Sequence, residues 1–537
     1  MPNKRLGHIL LQQGLIDDQK LEFCLKVQKN NGGERIGKVL KHYNFINEDQ
    51  IANALAKQIG WDVYSGDYQL DEAMFTLFGR QFMLERMVFP AGTRDGTVFV
   101  LARTDDMATT DMIQARLNTK ARFCIGSELR LRQALEKIVS REKNLKEDVR
   151  VPVEDDLVIW LEKHLDSAIA KGATDIHIEA SEKAVEIRLR IDGILYFVDS
   201  LRLDHLPRLV NVVFHKSDVT ISDFGHFHDA RFIHRHLNCT VDVRVSHIPS
   251  VYGSSIVLRL LDQSKASIAL TSLGYSQKQW ESIEASLVKP EGITLIVGPT
   301  GCGKTTTLYS MLNHLKSISR KIISIEDPVE MHLPLMVQVQ TNDKREITFG
   351  NAVRAFLRHD PNIILIGEIR DKETAQEALR AAMTGHKVFA TLHANRPVDA
   401  ILRLHDLGVP YTHMAGNINM IATQRLLRRL CPICKIGRDV FKSKLLVHER
   451  KHLEQEEQEI FAAHGCSQCE GGFHGRTIVA EVLAISNDIE GMIGEGDITG
   501  LRKYLNSCHD YITLFDDARR LIKEGTTSIG EAARILG

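Results

Sequence analysis

Gly298-Pro299-Thr300-Gly301-Cys302-Gly303-Lys304-Thr305 lies between the apolar run Thr294 to Val297 and a helical stretch that begins near Lys304. A glycine-rich loop between a strand and a helix N-terminus is the setting of a phosphate-binding loop, because successive backbone N–H groups and the helix end turn toward an anion. In that reading Lys304 reaches the β- and γ-phosphates and Thr305 offers an oxygen to Mg²⁺, with Thr306 completing the cradle. A ligand-free strand-to-helix turn is the competing explanation, and the full eight-residue pattern in this context disfavours it.

Outward from the loop, Lys321 to Ile325, Asn362 to Ile366 and Val388 to Thr391 read as further apolar strands alternating with longer helical stretches. Such alternation predicts a parallel sheet with crossover helices, so the expected fold class is multidomain α/β. The strand ending at Ile366 runs into Gly367-Glu368-Ile369-Arg370-Asp371. A carboxylate at the end of a buried strand beside a phosphate loop can orient a water, and Glu368 is the candidate base. Other strand-end clusters are Glu326-Asp327-Pro328-Val329-Glu330, and His386 with His393, which bracket one apolar strand and predict that at least one histidine points at the site.

Composition bounds the rest. Over 537 residues, Lys+Arg is 68 against Asp+Glu 69, a net charge of -1, so no global basic field draws the chain onto nucleic acid. Apolar residues are 43% and charged residues 26%, values of a soluble globular chain. No apolar run approaches the ~20 residues of a membrane span, and no apolar segment follows the charged start as a secretory signal would require. Of nine cysteines, four fall in two CxxC pairs, which suggests cytosolic zinc rather than disulfides.

The N-terminus contains a repeat. Arg5-Leu6-Gly7, Leu10, Ile16, Leu21, Leu25 and Gln28 recur as Arg35-Ile36-Gly37, Leu40, Ile46, Ile51, Leu55 and Gln58, each copy reading as a short helix, a turn at Gly14 or Asn44, and a second helix. The expected domains are 1–140, a charged linker 141–152, an α+β domain 153–264 with a hairpin turn at Asp192-Gly193, and the phosphate-loop domain 265–537. His226, His228, His234 and His236 form two HxH pairs in the α+β domain, read as a solvated polar face rather than a metal site.

Taken in order, GPTGCGKTTTLY, EDPVE, Leu357-Arg358-His-Asp-Pro361-Asn362, IGEIRD, AAMTGH and TLHAN resemble the type II secretion and type IV pilus assembly ATPases over residues 150 to 537. The resemblance implies a RecA-like hexameric motor that hydrolyses MgATP and acts on an inner-membrane platform protein, with protein rather than nucleic acid as its cargo. It also implies that Glu326, Asp327 and Glu330 form an Asp box and His386 and His393 a His box. Arg244 and Arg259, with Arg354 and Arg358, match its two pairs of phosphate-facing arginines. The family's PQDGR run is replaced by Phe227-His228-Asp229-Ala230-Arg231.

Cys431, Cys434, Cys466 and Cys469 supply four thiolates, a closed and therefore structural zinc set, in an arm spanning 431–469 that resembles the arm of the extension-type ATPases. The N-terminal repeat resembles the cyclic di-GMP-binding domain of MSHA-type pilus ATPases. That resemblance implies ligand contacts from Arg5, Leu6, Gly7, Leu10, Leu11, Gly14, Arg35, Gly37 and Asp105; the second copy departs from it at Ile36, Lys41 and Asn44. Two other readings stay open: a nucleic-acid translocase or helicase, and a cyclic di-GMP effector with a weak motor.

Overall fold

The computed structural model describes residues 5–30, 35–64, 69–79, 82–83, 86–93, 96–101, 107–117, 121–127, 130–131, 134–135, 154–219, 224–236, 239–262, 268–442, 445, 447–453 and 457–537. The chain divides into two compact units, Met1–Lys171 and Gly172–Gly537. The anticipated linker 141–152 lies outside the described residues, and the helix Glu154–Ala170 groups with the first unit.

In the first unit the repeat forms helices Leu6–Gln12, Asp18–Asn30, Ile36–His42 and Glu48–Ile59. The turn residues Gly14 and Asn44 take left-handed φ values of 67° and 53°, as their types allow. Both copies contribute to one core that contains Leu10, Leu21, Leu40 and Ile46. Asn47 caps the fourth helix by accepting from Gln50 N at 2.8 Å. After the repeat come β1 (Asp62–Val63), β2 (Val88–Thr93), β3 (Gly96–Leu101) and β4 (Arg122–Ile125), in the order β1-β4-β3-β2.

The second unit opens with β5 (Asp175–Ala180), β6 (Val185–Ile191), β7 (Ile194–Leu201), β8 (His228–His236), β9 (Cys239–Ser250) and β10 (Gly253–Asp262). They form an antiparallel sheet ordered β7-β6-β5-β10-β9-β8. Asp192 and Gly193, at φ 48° and 87°, make the anticipated β6–β7 hairpin turn. Of the four histidines read as a polar face, His226 is exposed, His228 and His236 are half-buried, and His234 alone is buried, on the face it shares with Phe232, while the apolar Ile233 faces out.

The remaining strands are β11 (Gly292–Val297), β12 (Ile322–Glu326), β13 (Met336–Gln340), β14 (Ile363–Ile366), β15 (Lys387–Leu392), β16 (Ile418–Leu430), β17 (Ile436–Phe441), β18 (Glu457–Ala462) and β19 (Phe473–Ala484). Seven of them form a sheet ordered β13-β12-β14-β15-β11-β16-β19, parallel except for β19, which runs antiparallel to β16. β11, β14 and β15 are buried at every residue, which explains their predominantly apolar sequence. The crossover helices include Lys304–Leu315, Phe349–Phe356, Lys372–Met383 and Pro397–Asp406. β13, β16 and β19 escape a reading by apolar runs: β16 carries Arg425, Arg428 and Arg429 among its leucines, a spacing equally compatible with helix.

Candidate nucleotide site

The phosphate loop leaves the buried C-terminal end of β11 and enters the helix Lys304–Leu315, whose N-cap Gly303 has φ 90°. Residues with side chains rarely adopt such angles, so the loop needs glycine at this position. Lys304 Nζ donates to the backbone oxygens of Gly298 (2.9 Å) and Pro299 (3.0 Å). Burial lowers its pKa, with Cys302 opposing and Arg425 adding to the shift. An ammonium held against the loop's own carbonyls is placed where phosphate oxygens can replace them. Thr305 and Thr306 occupy the first turn of that helix, where unpaired N–H groups point at the loop.

Glu368 follows β14, its side chain 18% exposed, ion-paired to Arg370 and 3.9 Å from His393 Nε2. Thr391 Oγ1 donates to Gly367 O at 2.6 Å, tying the end of β15 to the loop that carries Glu368. Burial lowers the His393 pKa, and the charges of Lys304 and Arg370 lower it further. Asp327 lies 3.7 Å from Arg370. Arg244, on β9, reaches the same cluster: Nη2 donates to Val329 O at 2.8 Å and Nη1 stands 3.3 Å from Glu330. Lysine, carboxylates, histidine and an arginine from the neighbouring sheet thus converge at the C-terminal ends of the parallel strands, where open α/β sheets bind ligands.

In the arm, Sγ–Sγ separations are 4.0 Å for Cys431–Cys466 and 3.7 Å for both Cys434–Cys469 and Cys466–Cys469. Tetrahedral zinc at a Zn–S distance of about 2.3 Å needs sulfurs about 3.8 Å apart, so the quartet fits that ion. At Gly472 a Cβ would lie 2.7 Å from that of Ala463 and 2.8 Å from His464 N, which is why the knuckle takes glycine.

The model of the family described as type II/IV secretion system protein matches residues 153–534. The chain belongs to that family. It is 31% identical to the type IV pilus assembly ATPase PilB of Myxococcus xanthus over 522 residues, 92% of each chain. It is 37% identical to the type II secretion system ATPase E of Vibrio cholerae over 388 residues, 71% of this chain and 76% of that one. A match of 37% identity to PilB of Acinetobacter baylyi covers 71% of this chain and 66% of that protein. The ATPase DotB of Legionella pneumophila shares the fold, with a TM-score of 0.54 at 21% identity over 72% of this chain and 96% of that one. The chain is an ATPase of this secretion family, with the RecA-like motor fold anticipated from its motifs. A second model, the MshEN domain, matches residues 64–145, downstream of the helical repeat.

Within this secretion ATPase several anticipated site residues sit elsewhere than expected. His386 precedes β15 and pairs its backbone oxygen with Gly292 N, at the end of the sheet opposite the phosphate loop. Only His393 of the two reaches the loop of its own chain, because the strand between them is fully extended and buried. Glu326 ends β12 but turns inward: Tyr309, Ser324 and Gln338 all donate to its carboxylate, so it braces the sheet instead of facing solvent. Asp327 and Glu330 are the members of that box that face the cluster.

Arg354 pairs with Glu373 (2.8 Å) and Glu377 (2.9 Å) on the helix Lys372–Met383, and Arg358 Nη1 donates to Arg354 O. Arg259 stands 60% exposed, 3.2 Å from Asp175. It lies in register with Arg244, and Arg231 on β8 completes the row. Directly opposed residues share a face, so three arginines line one side of this sheet. Arg231 belongs to the divergent Phe227 to Arg231 run, and strand register rather than motif reveals its place.

In the repeat, Arg5 and Arg35 are exposed N-cap residues with nearly equal backbone angles, φ/ψ -62°/141° and -62°/133°. Gly7 permits helix contact, since a Cβ there would lie 2.7 Å from Leu21 Cδ1; at Gly37 the nearest atom, in Leu6, is at 3.3 Å. Leu6 and Leu11 are half-buried. Leu10 is 0% exposed and belongs to the repeat's core. Asp105 lies outside the described residues.

Proposed function

We propose that this ATPase is the motor of a type IV pilus assembly or type II secretion system, working as a homohexamer on an inner-membrane platform protein. The observation that carries this reading is the gathering of Lys304, Glu368, His393, Asp327, Glu330 and Arg244 at the C-terminal ends of the parallel strands that flank the phosphate loop. The Myxococcus relative, named a type IV pilus assembly ATPase and matched over 92% of both chains, supports it.

In this mechanism Gly298 to Thr306 bind ATP, Thr305 holds Mg²⁺, and Glu368 orients the water that attacks the γ-phosphorus in line, giving ADP and phosphate. Arg244 and Arg259 bring positive charge from the preceding sheet to the developing γ-phosphate, and Arg354 and Arg358 are the second arginine pair, on the motor domain. Hydrolysis then moves the two sheets of the second unit against each other. Zinc in the cysteine quartet is structural. No helix among the described residues is long and apolar enough to cross a membrane, so the proposed place at the cytoplasmic face depends on partners.

A regulatory reading is favoured by the repeat. Two N-cap arginines of matching backbone geometry suit a pseudo-symmetric ligand with two phosphates and two guanines, namely cyclic di-GMP; the MshEN match over residues 64–145 supports that ligand class for the first unit, although it does not include the arginines themselves.

Both readings are tested on the purified full-length chain. Wild type turns over MgATP and elutes as a hexamer, and Lys304→Ala abolishes turnover with an unchanged melting profile; retained turnover in that variant sinks the motor reading. Calorimetry with cyclic di-GMP gives saturable binding that Arg5→Ala weakens, and absence of heat leaves the repeat as a docking module.

A further inference from the structure

We propose that Gln424 is the positioning residue of the phosphate loop, its side-chain amide holding the Cys302 carbonyl so that the Gly303 N–H faces the anion. The proposal rests on the ATP-binding reading of that loop. Gln424 follows Thr423, which pairs with Val297 at the end of β11, so β16 brings it directly beside the loop. It is 0% exposed. Its Nε2 donates to Cys302 O at 2.9 Å. Its Oε1 accepts from Thr307 Oγ1 at 3.0 Å and from Tyr275 Oη at 3.1 Å.

The consequence follows from peptide geometry. In a planar trans peptide the C=O and the following N–H point in opposite directions. Fixing Cys302 O toward β16 therefore aims the Gly303 N–H away from β16, into the concave side of the loop, where backbone N–H groups bind phosphate. The loop and Gln424 are in close packing: a Cβ at Gly303 would lie 3.2 Å from Gln424 Nε2, and one at Gly298 2.8 Å from Gln424 O. Through Thr307 the same amide grips the helix that follows the loop, and through Tyr275 the segment that enters the domain.

An amide is suited to this place because it offers donors at one end and an acceptor at the other. Glutamate has the same size but offers no donor when ionised, and methionine has neither strong group. A merely structural hydrogen bond would lower stability and scale activity with the folded fraction. A positioning role acts on nucleotide affinity, since the loop N–H contacts are made in the ground state and persist through reaction.

The test uses full-length Gln424→Glu and Gln424→Met, with steady-state ATPase kinetics, binding of a fluorescent ATP analogue with Mg²⁺, and thermal melts. The expected result is a rise of about tenfold in both KM and Kd, the scale of one lost buried hydrogen bond, with kcat within about threefold of wild type. Gln424→Met guards against Gln424→Glu failing to fold from its buried charge. Unchanged KM and Kd in whichever variant folds overturns the proposal, as does a loss confined to kcat and melting temperature. Failure of both variants to fold would also overturn it, since Gln424 would then be a folding determinant. If wild type itself fails to bind MgATP, the ATP reading falls first.

Discussion

His393 Nε2 stands 3.9 Å from the Glu368 carboxylate, across the adjacent ends of β15 and β14. Burial and the charges of Lys304 and Arg370 keep the imidazole pKa below 6.5, so it is neutral at pH 7. Acidification through the depressed pKa adds a cation beside Glu368 and draws the carboxylate away from its water. ATPase activity should therefore fall on the acid side, below the ordinary imidazole pKa of 6.5, and His393→Asn should flatten that limb; a pH–kcat profile checks both.

The same group bears on stability. The unfolded chain binds a proton at the ordinary value of 6.5 and the folded chain only at lower pH, so stability falls as pH drops through 6.5 and levels off below the folded pKa. The difference in melting temperature between wild type and His393→Asn, followed from pH 8 to pH 5, should shift in favour of the variant at the acid end.

Gly367 lets β12 approach the loop that carries Glu368: a Cβ there would lie 3.1 Å from Ile325 O and 3.2 Å from Glu326 Cα, both backbone atoms. Gly367→Ala should push Glu368 out of place. We expect kcat to fall by roughly tenfold or more, with KM for ATP little changed, because the phosphate loop is untouched. Glu368→Gln should be more severe, by about 10² or more, in the same assay.

Arg244 bridges the two sheets through Val329 O and Glu330. Arg244→Ala should lower kcat by about 10² or more while nucleotide binding persists, and Arg244→Lys should not rescue it, since an ammonium cannot reproduce the two-pronged contact. Comparing single-turnover hydrolysis with analogue binding separates these effects.

The cysteine quartet is tied to the C-terminal helices: Leu430 N donates to Thr526 O at 2.8 Å and Lys435 Nζ to Gly525 O at 2.9 Å. Metal analysis of the purified protein should find about one zinc per chain. Cys434→Ser or a strong chelator should remove it and lower the melting temperature by roughly 5 °C or more.

The phosphate loop, the Glu368 strand, the cysteine quartet and the helical repeat were legible because each is a local pattern: glycines, apolar runs and thiols at fixed short spacing dictate strand, turn and knuckle whatever surrounds them. What the tertiary structure decided depends on which strands become neighbours. His386 and His393 lie at opposite ends of one strand, and only the parallel pairing of β15 with β11 shows which end carries the loop. Glu326 reads as a site acid until β13 brings Gln338 against it. Arg231, Arg244 and Arg259 become one row only through the registers of β8, β9 and β10. Gln424 lies far along the chain from the loop, and β16 pairing with β11 makes it a neighbour of Cys302. Strand order and register are set by long-range burial of whole apolar faces, and that information is spread over the chain rather than written in any one motif.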